Sequence, residues 1–285
     1  MKIFKSKSNL KKYISGKKAL EKSIGFVPTM GALHKGHLSL VKRAKKKNDL
    51  AVVSIFVNPT QFDNKEDLEK YPQTIDNDIK LLESVNCDAV FIPSVEEIYD
   101  SSIVAEKFDF DGLEYQMEGK FRDGHFDGVG TIVKALFEIV MPTTAYFGKK
   151  DFQQLQIIKK LVEKTHLPIK IKGRPIFRED DGLAMSSRNA RLTKEHREAA
   201  PFIYKTLKKA KKKFGIENAN SIIEWVENEF KKHPLLELEY FTIANEVTLK
   251  SDEKIDPKSK YRAFIAVYAG EIRLIDNVGF KRKNK

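Results

Sequence analysis

The chain has 285 residues, of which 41% are hydrophobic and 32% charged, and its formal net charge is +12. This length suits one large domain or two ordinary ones, and the composition is typical of a globular protein. No apolar run reaches the roughly 20 residues of a membrane span, and the basic N-terminal residues lack the apolar core of a secretory signal. Cys87 is the single cysteine, which excludes a disulfide framework and favours a cytoplasmic location.

The positive charge raises the hypothesis of an RNA-binding protein. However, the basic residues are spread along the chain, and the runs 45–47 and 211–213 fall at the ends of predicted helices, where the helix dipole favours cations. The sequence has no stripe of basic and aromatic residues like that of single-strand binders. We therefore predict a solvated lysine-rich surface and no nucleic-acid partner, with RNA binding kept as the non-enzymatic alternative.

In chain order, the first part of the sequence alternates between helices and strands after an amphipathic helix predicted over residues 1–22. The predicted strands are 24–29, 50–57, 88–93, 143–148 and 168–172. After the N-terminal helix, the next predicted helix begins near Gly36. The others are predicted at 74–84, 131–140 and 152–163. Residues 94–126 are predicted to be less regular, with a mobile loop at 118–125. The alternation predicts an α/β fold with a Rossmann-like parallel sheet in an N-terminal domain, residues 1–175.

The pattern changes after about residue 176. Two long Lys- and Glu-rich helices are predicted at 194–214 and 219–232, followed by a strand at 237–243. A hairpin is then predicted from strands 261–268 and 271–275, joined by Ala269-Gly270. Residues 176–285 are thus predicted to form a smaller α+β C-terminal domain with a small antiparallel sheet, which we expect to act as a lid.

The strand at 24–29 leads into glycines and two histidines that begin a helix. His34 and His37 are three residues apart and therefore share one face of its first turn. Unpaired backbone N–H groups and the positive end of the helix dipole favour a phosphate there. Gly31 and Gly36 allow a ligand to approach the main chain closely. The alternative is a structural turn with two surface histidines.

Three further polar segments follow predicted strands or the domain junction, namely Asn58–Gln61, Gly148–Gln154 and Arg178–Asn189. Each has a structural alternative: Asn58-Pro59-Thr60 is good turn chemistry, Asp151 and Gln154 could form a capping box, and Ser186-Ser187 could cap or link. Since ligands of open parallel sheets bind beyond the carboxyl ends of the strands, we expect the segments to share a nucleotide-activating site.

Six collinear motifs resemble the pantothenate synthetase family. They are PTMGALHKGH (28–37), NPTQF (58–62), YPQT (71–74), RxGHF (122–126), FGxKDFQQL (147–155) and DGLAMSSRN (181–189). The resemblance covers residues 24–192 strongly, and only the pattern of elements agrees beyond them. Lys149 and Asp123 depart from the Glu and Pro that are usual in the family, which could alter ATP affinity and loop mobility.

The resemblance implies an ATP-dependent ligase that condenses (R)-pantoate with β-alanine to pantothenate. The reaction would pass through pantoyl adenylate and release AMP and pyrophosphate. The family also implies magnesium arriving with ATP and a homodimer, with no membrane partner. Another HxGH-type nucleotidyltransferase, which would retain the nucleotidyl product, is the alternative enzyme.

The family correspondence also assigns residues. The catalytic candidates are His37, His34, Lys150, Ser186, Ser187 and Arg188. The implied ATP site comprises Met30, Gly31, Ala32, Leu33, His34, Lys35, Gly36, His37, Gly148, Lys149, Lys150, Asp151, Phe177, Met185, Ser186, Ser187 and Arg188. Gln61 and Gln154 would hold pantoate, and Gln61 would also lie near β-alanine. No protein ligand for a metal is predicted; Asp76 and Asp78 are weak candidates that we expect to be surface helix residues.

Overall fold

The computed structural model describes residues 1–62, 65–99, 102–252 and 254–280. The chain divides into two compact units. The N-terminal unit comprises Met1–Lys149 and Gln154–Pro175, and the C-terminal unit comprises Lys150–Gln153 and Ile176–Lys285. The short segment Lys150–Gln153 therefore packs with the C-terminal unit although it lies within the N-terminal part of the sequence.

The first part of the chain is built on a six-stranded sheet with the strand order β1-β4-β3-β2-β5-β6, in which every neighbouring pair is parallel. The strands are β1 (Lys2–Phe4), β2 (Ile24–Thr29), β3 (Leu50–Ile55), β4 (Ala89–Phe91), β5 (Thr144–Gly148) and β6 (Lys170–Arg174). The helices are α1 (Lys7–Lys18), α2 (Lys35–Lys47), α3 (Lys65–Glu69), α4 (Ile75–Glu83), α5 (Val95–Ile98), α6 (Glu118–Phe121), α7 (His125–Val140) and α8 (Phe152–Lys164). The predicted Rossmann-like parallel sheet is confirmed.

The central strands are buried because their sequences are apolar on both faces. Every residue of β3 is buried, as the near-continuous apolar run predicts for a strand covered by helices on both sides. From α2, Leu40, Val41 and Ala44 pack against this part of the sheet. The burial fixes β2 and β3 side by side in register, so that Thr29 lies opposite Ile55 and both strands end at the same edge.

The helix predicted over residues 1–22 is wrong at its start. Residues Lys2–Phe4 form the edge strand β1, with Lys2 opposite Ala89, and the helix covers only Lys7–Lys18. A three-residue strand is too short to show a period in the sequence, so only its pairing with β4 reveals it.

The predicted irregular loop at 118–125 is also partly wrong. It contains the short helix α6, and α7 begins at His125 rather than at residue 131. Gly124 has a φ of 68° immediately before α7. Of the two glycines that made this stretch resemble a loop, Gly119 serves close packing instead, because a Cβ there would lie 1.6 Å from the carbonyl oxygen of Glu114.

The C-terminal unit contains a three-stranded antiparallel sheet, as predicted. Its strands are β7 (Glu237–Asn245), β8 (Tyr261–Ala269) and β9 (Ile272–Phe280), in that order. Its helices are α9 (Lys194–Ala199), α10 (Pro201–Lys213) and α11 (Ala219–Lys231). Apolar side chains of α10 and α11, including Leu207, Ile222 and Val226, form one buried core with the sheet.

Two boundaries differ from the prediction in this unit. The helix predicted over 194–214 is two helices, because Pro201 cannot continue the hydrogen-bonding pattern of α9 and instead begins α10. The hairpin turn is Gly270-Glu271, and β9 extends to Phe280, five residues beyond the predicted end. Among the described residues, no helix is both long and apolar enough to cross a membrane.

Candidate active site

The turn between β2 and α2 is built around side chains at the ends of two neighbouring strands. The Thr29 hydroxyl donates to the Ser54 carbonyl at 2.7 Å and accepts from the Gly31 N–H at 3.3 Å. Gly31 and Ala32 then adopt φ values of 82° and 47°. This left-handed conformation is favourable for glycine but unusual for alanine, so other contacts must hold the turn.

Asp78 provides those contacts. Its carboxylate accepts the backbone N–H of Ala32 at 3.0 Å and that of Leu33 at 2.7 Å, and the Thr74 hydroxyl donates to it at 3.2 Å. The residue is fully buried. The expectation of a surface helix residue was therefore wrong for Asp78, because the polar face of α4 at this point meets the turn; Asp76 is exposed.

The two histidines lie together at the start of α2, as their spacing predicts. Their rings stack with centroids 4.0 Å apart. His34 is the N-cap and accepts the Gly36 N–H at Nδ1 (3.1 Å), while Nδ1 of His37 faces the His34 N–H at 3.4 Å. Since both Nδ1 atoms accept, these hydrogen bonds assign the proton of each neutral ring to Nε2. Each ring can thus offer an Nε2–H donor to an anion.

Gln61 lies beside the histidine-bearing turn. Its Nε2 donates to the Met30 sulfur at 2.8 Å, which brings the segments after β2 and β3 together. Within its own turn, the buried Asn58 donates from Nδ2 to the Gly128 carbonyl at 3.1 Å. The Tyr99 hydroxyl donates to Asn58 Oδ1 at 2.5 Å, and burial raises the pKa of that hydroxyl. This network holds the turn in place.

Arg122 and His125 fix the main chain of Gln61. Arg122 Nη2 donates to the Gln61 carbonyl at 3.2 Å, and His125 Nδ1 lies 2.8 Å from the same oxygen. Arg122 Nη1 lies 3.1 Å from His125 Nε2. Because a guanidinium only donates, His125 accepts at Nε2 and carries its proton on Nδ1, the opposite tautomer to the histidines of α2. The segment predicted to be a mobile loop therefore anchors Gln61.

In the C-terminal unit, Lys150 follows the end of β5 and lies 3.2 Å from the Asp151 carboxylate. Its segment is held by aromatic packing: the Phe152 ring lies 5.9 Å from that of Phe264, and the Arg262 guanidinium lies 4.1 Å above the Phe152 ring. The side chains of Lys150 and Asp151 are 19% and 46% exposed.

The Ser186–Arg188 segment follows a small hairpin. Arg178 and Ala184 pair in an antiparallel bridge, and the Met185 N–H donates to the Phe177 carbonyl at 3.0 Å. Ser186 then caps the short 3₁₀ helix Ser187–Arg191 by accepting the Arg188 N–H at 3.3 Å. The capping role that the sequence left open for Ser186 is confirmed.

An ion pair that the sequence did not reveal fixes this hairpin to β9. Arg178 donates to both carboxylate oxygens of Asp276, at 2.6 and 2.9 Å. The guanidinium also lies 3.6 Å from the centroid of the Tyr204 ring. Burial raises the pKa of the Asp276 carboxyl, and the Arg178 charge opposes that shift. A forked pair of this kind fixes orientation as well as distance.

The predicted site residues thus fall into two groups. The N-terminal unit carries Met30 through His37 together with Gln61, and it also carries Gly148, Lys149 and the half-buried Gln154. The C-terminal unit carries Lys150, Asp151, Phe177 and the residues from Met185 to Arg188. The first group supplies hydrogen-bond donors, amides and the cations Lys35 and Lys149, and the second supplies the cations Lys150 and Arg188 together with hydroxyls.

A parallel sheet with a histidine pair at the start of the helix after a central strand defines an HxGH-type nucleotide-binding α/β protein. A model of the family described as pantoate-beta-alanine ligase matches residues 2–279. The chain therefore belongs to the pantoate–β-alanine ligase family.

Curated relatives agree over the full length. The chain is 57% identical over 279 residues to a pantothenate synthetase of Christiangramia forsetii, a match that covers 98% of this chain and 99% of the relative. It is 54% identical to a pantothenate synthetase of Flavobacterium psychrophilum, with the same coverage of 98% and 99%.

Solved structures agree as well. A pantothenate synthetase of Thermus thermophilus matches with a TM-score of 0.90 and 36% identity, over 98% of this chain and 99% of that one. A pantoate-beta-alanine ligase of Francisella tularensis, described as complexed with beta-gamma ATP and beta-alanine, matches with a TM-score of 0.79 and 37% identity, over 98% and 97%.

Proposed function

We propose that the chain catalyses the ATP-dependent condensation of (R)-pantoate with β-alanine to give pantothenate, AMP and pyrophosphate. The observation that carries this proposal is the family match over residues 2–279. The geometry of the histidine turn supports it, since two Nε2–H donors at a helix start suit the phosphates of ATP.

The proposed reaction has two steps. A carboxylate oxygen of pantoate attacks the α-phosphorus of ATP, and the bond to the bridging oxygen of pyrophosphate breaks. The amine of β-alanine then attacks the carbonyl carbon of pantoyl adenylate, loses a proton and displaces AMP. The first nucleophile is already ionised, so that step requires alignment and neutralisation of the charge that grows on the phosphates rather than a base.

In this proposal the N-terminal unit binds and orients the substrates. His34 and His37 donate from Nε2 to phosphate oxygens, and the turn around Gly31 lets the nucleotide approach the main chain. The Gln61 and Gln154 amides bind the hydroxyls and carboxylate of pantoate, with Gln61 also near β-alanine. Anchoring of the Gln61 carbonyl by Arg122 and His125 supports that role, because it fixes the backbone from which the amide extends.

The C-terminal unit supplies the charge. Lys150 acts as a point charge on the triphosphate, Arg188 makes a forked contact with phosphate oxygens, and Ser186 and Ser187 donate hydroxyls. We further propose that this unit closes over ATP as a lid. Lys149 of the N-terminal unit, which replaces the usual Glu of the family, adds further positive charge beside the triphosphate.

The remaining parts of the proposal concern the setting of the reaction. ATP enters as its magnesium complex, and the metal keeps several waters. We also propose that the chain forms a homodimer through the N-terminal unit and that it is located in the cytoplasm. The Cys87 thiol is buried, which raises its pKa to about 12, so it has little thiolate character.

Exchange of labelled pyrophosphate into ATP tests the proposed function. We expect exchange that depends on pantoate and continues without β-alanine, and release of AMP only when β-alanine is added. Exchange without pantoate, with retention of the nucleotidyl group on another acceptor, would instead favour the HxGH-type nucleotidyltransferase. An absence of exchange from the pure, folded chain would reject both enzymes.

A further inference from the structure

Two adjacent buried residues of β9 connect the cation-bearing segments of the C-terminal unit. Asp276 and Asn277 are 5% and 2% exposed. Besides its forked pair with Arg178, the Asp276 carboxylate accepts the Asn277 N–H at 2.7 Å. Arg178 also donates to the Gly182 carbonyl at 3.0 Å. The hairpin that leads into Ser186 and Arg188 is therefore held on β9 through Arg178, which also holds the turn of the hairpin itself.

Asn277 makes the matching contact to the other segment. Its Nδ2 donates to the Lys150 carbonyl at 2.7 Å, and its Oδ1 accepts from Arg262 Nη1 at 2.6 Å. A carbonyl can only accept and a guanidinium can only donate, so these two partners fix which way the amide faces. Arg262 is held in turn by Glu246, whose Oε1 lies 3.0 Å from Nε and 2.7 Å from Nη2.

We infer that Asn277 is a positioning residue for the adenylation step, which it serves by holding the main chain of Lys150 in register with the hairpin that Asp276 holds. The inference rests on the proposed function, because it takes Lys150 and Arg188 as the cations that meet the triphosphate. Neither Asp276 nor Asn277 is expected to touch substrate. Their contribution is the spacing between two segments that are far apart in the sequence.

The physical reason is that charge neutralisation depends steeply on position. Preorganised charges stabilise a transition state only where charge develops, and a displacement of about 1 Å can cost on the order of 10²-fold in rate. The Asn277 side chain that makes this contact is buried, so breaking the contact leaves its amide with little access to water as a replacement partner.

The variant Asn277→Asp removes this contact with little change in shape. It keeps an acceptor for Arg262 but turns a carboxylate oxygen toward the Lys150 carbonyl, where the amide N–H had donated. We expect kcat for pantoate-dependent pyrophosphate exchange to fall by about 10- to 100-fold, with an unchanged KM for pantoate. Asn277→Ser, which also lacks the amide donor, serves as a second variant if the first does not fold.

Glu239→Gln is the matched control for a purely structural effect. Glu239 on β7 pairs with Arg273 on β9 in the same sheet, at 3.0 Å between Oε2 and Nε. Its loss weakens the sheet at a different pair of side chains. We expect it to lower the melting temperature while kcat stays at the wild-type value.

A double-mutant cycle with Lys150→Ala separates the possible outcomes. If Asn277 acts through Lys150, the double variant is no slower than Lys150→Ala alone. Wild-type kcat in both Asn277 variants, or losses that multiply in the double variant, would overturn the inference while leaving the ligase activity in place. If the wild type is active and Lys150→Ala exchanges pyrophosphate at the wild-type rate, Lys150 has no catalytic role and the inference is overturned with it. If the wild type is inactive, the proposed function itself is rejected.

Discussion

Replacing Lys150 or Arg188 with alanine is expected to lower the rate of pantoate-dependent pyrophosphate exchange by about 10²- to 10³-fold. That is the typical loss when one preorganised donor to a developing anion is removed. Arg188→Lys should recover only part of the rate, because lysine keeps the charge but not the forked geometry. Steady-state exchange kinetics at saturating ATP and pantoate provide the measurement.

Lys170→Ala is a suitable control, since Lys170 is an exposed residue of β6 and has no proposed role. It should exchange at the wild-type rate. His37→Ala should lower the exchange rate by a similar factor, because it removes an Nε2–H donor without removing a charge. Any of these candidates that retains near-normal turnover is not part of the catalytic group.

Replacing Asp78 should affect both stability and activity. Asp78→Asn keeps the volume but places an amide where a carboxylate accepts two backbone N–H groups, from Ala32 and Leu33. The amide oxygen can still accept one of these N–H groups, and leaving the other buried donor without its acceptor costs about 1–3 kcal/mol. We therefore expect the free energy of unfolding in urea to fall by about 1–3 kcal/mol. Exchange activity should fall as well, because the turn before His34 is displaced.

Asp76→Asn is the matched control on the same helix. Asp76 is exposed in the first turn of α4, and its replacement should change the free energy of unfolding by no more than about 0.5 kcal/mol. Equal losses in the two variants would show that the first turn of α4 matters through its charge near the helix N-terminus rather than through the contacts of Asp78.

Local patterns predicted the elements around the site well. The strand Ile24–Thr29 has the predicted bounds, because its apolar run begins at Ile24 and Gly31 follows closely after its last residue. The start of α2 beside His34 and the hairpin of β8 and β9 also follow from short-range signals. Because β2 and β3 are neighbours in a parallel sheet and end at the same edge, the segments that follow them were expected to meet, and Gln61 does contact Met30.

The residues that hold the site in shape could not be predicted in the same way. Asp78 contacts a turn that precedes it by about 45 residues, and Asn277 contacts a carbonyl 127 residues earlier. A polar residue of an amphipathic helix or an antiparallel strand predicts a solvated face, and only the folded chain shows which polar residues are buried and paired. The sequence indicated which residues carry the chemistry of the site, but not which buried polar residues hold them in place.

The most direct test of the adenylate route follows the carboxylate oxygens of pantoate. With ¹⁸O in both of these oxygens, attack on the α-phosphorus forms a P–¹⁸O bond that survives when β-alanine displaces AMP. We expect one ¹⁸O atom in each AMP released and one in the amide carbonyl of pantothenate, read by mass spectrometry. Unlabelled AMP, or label found in a phosphate or pyrophosphate product, would contradict the adenylate route.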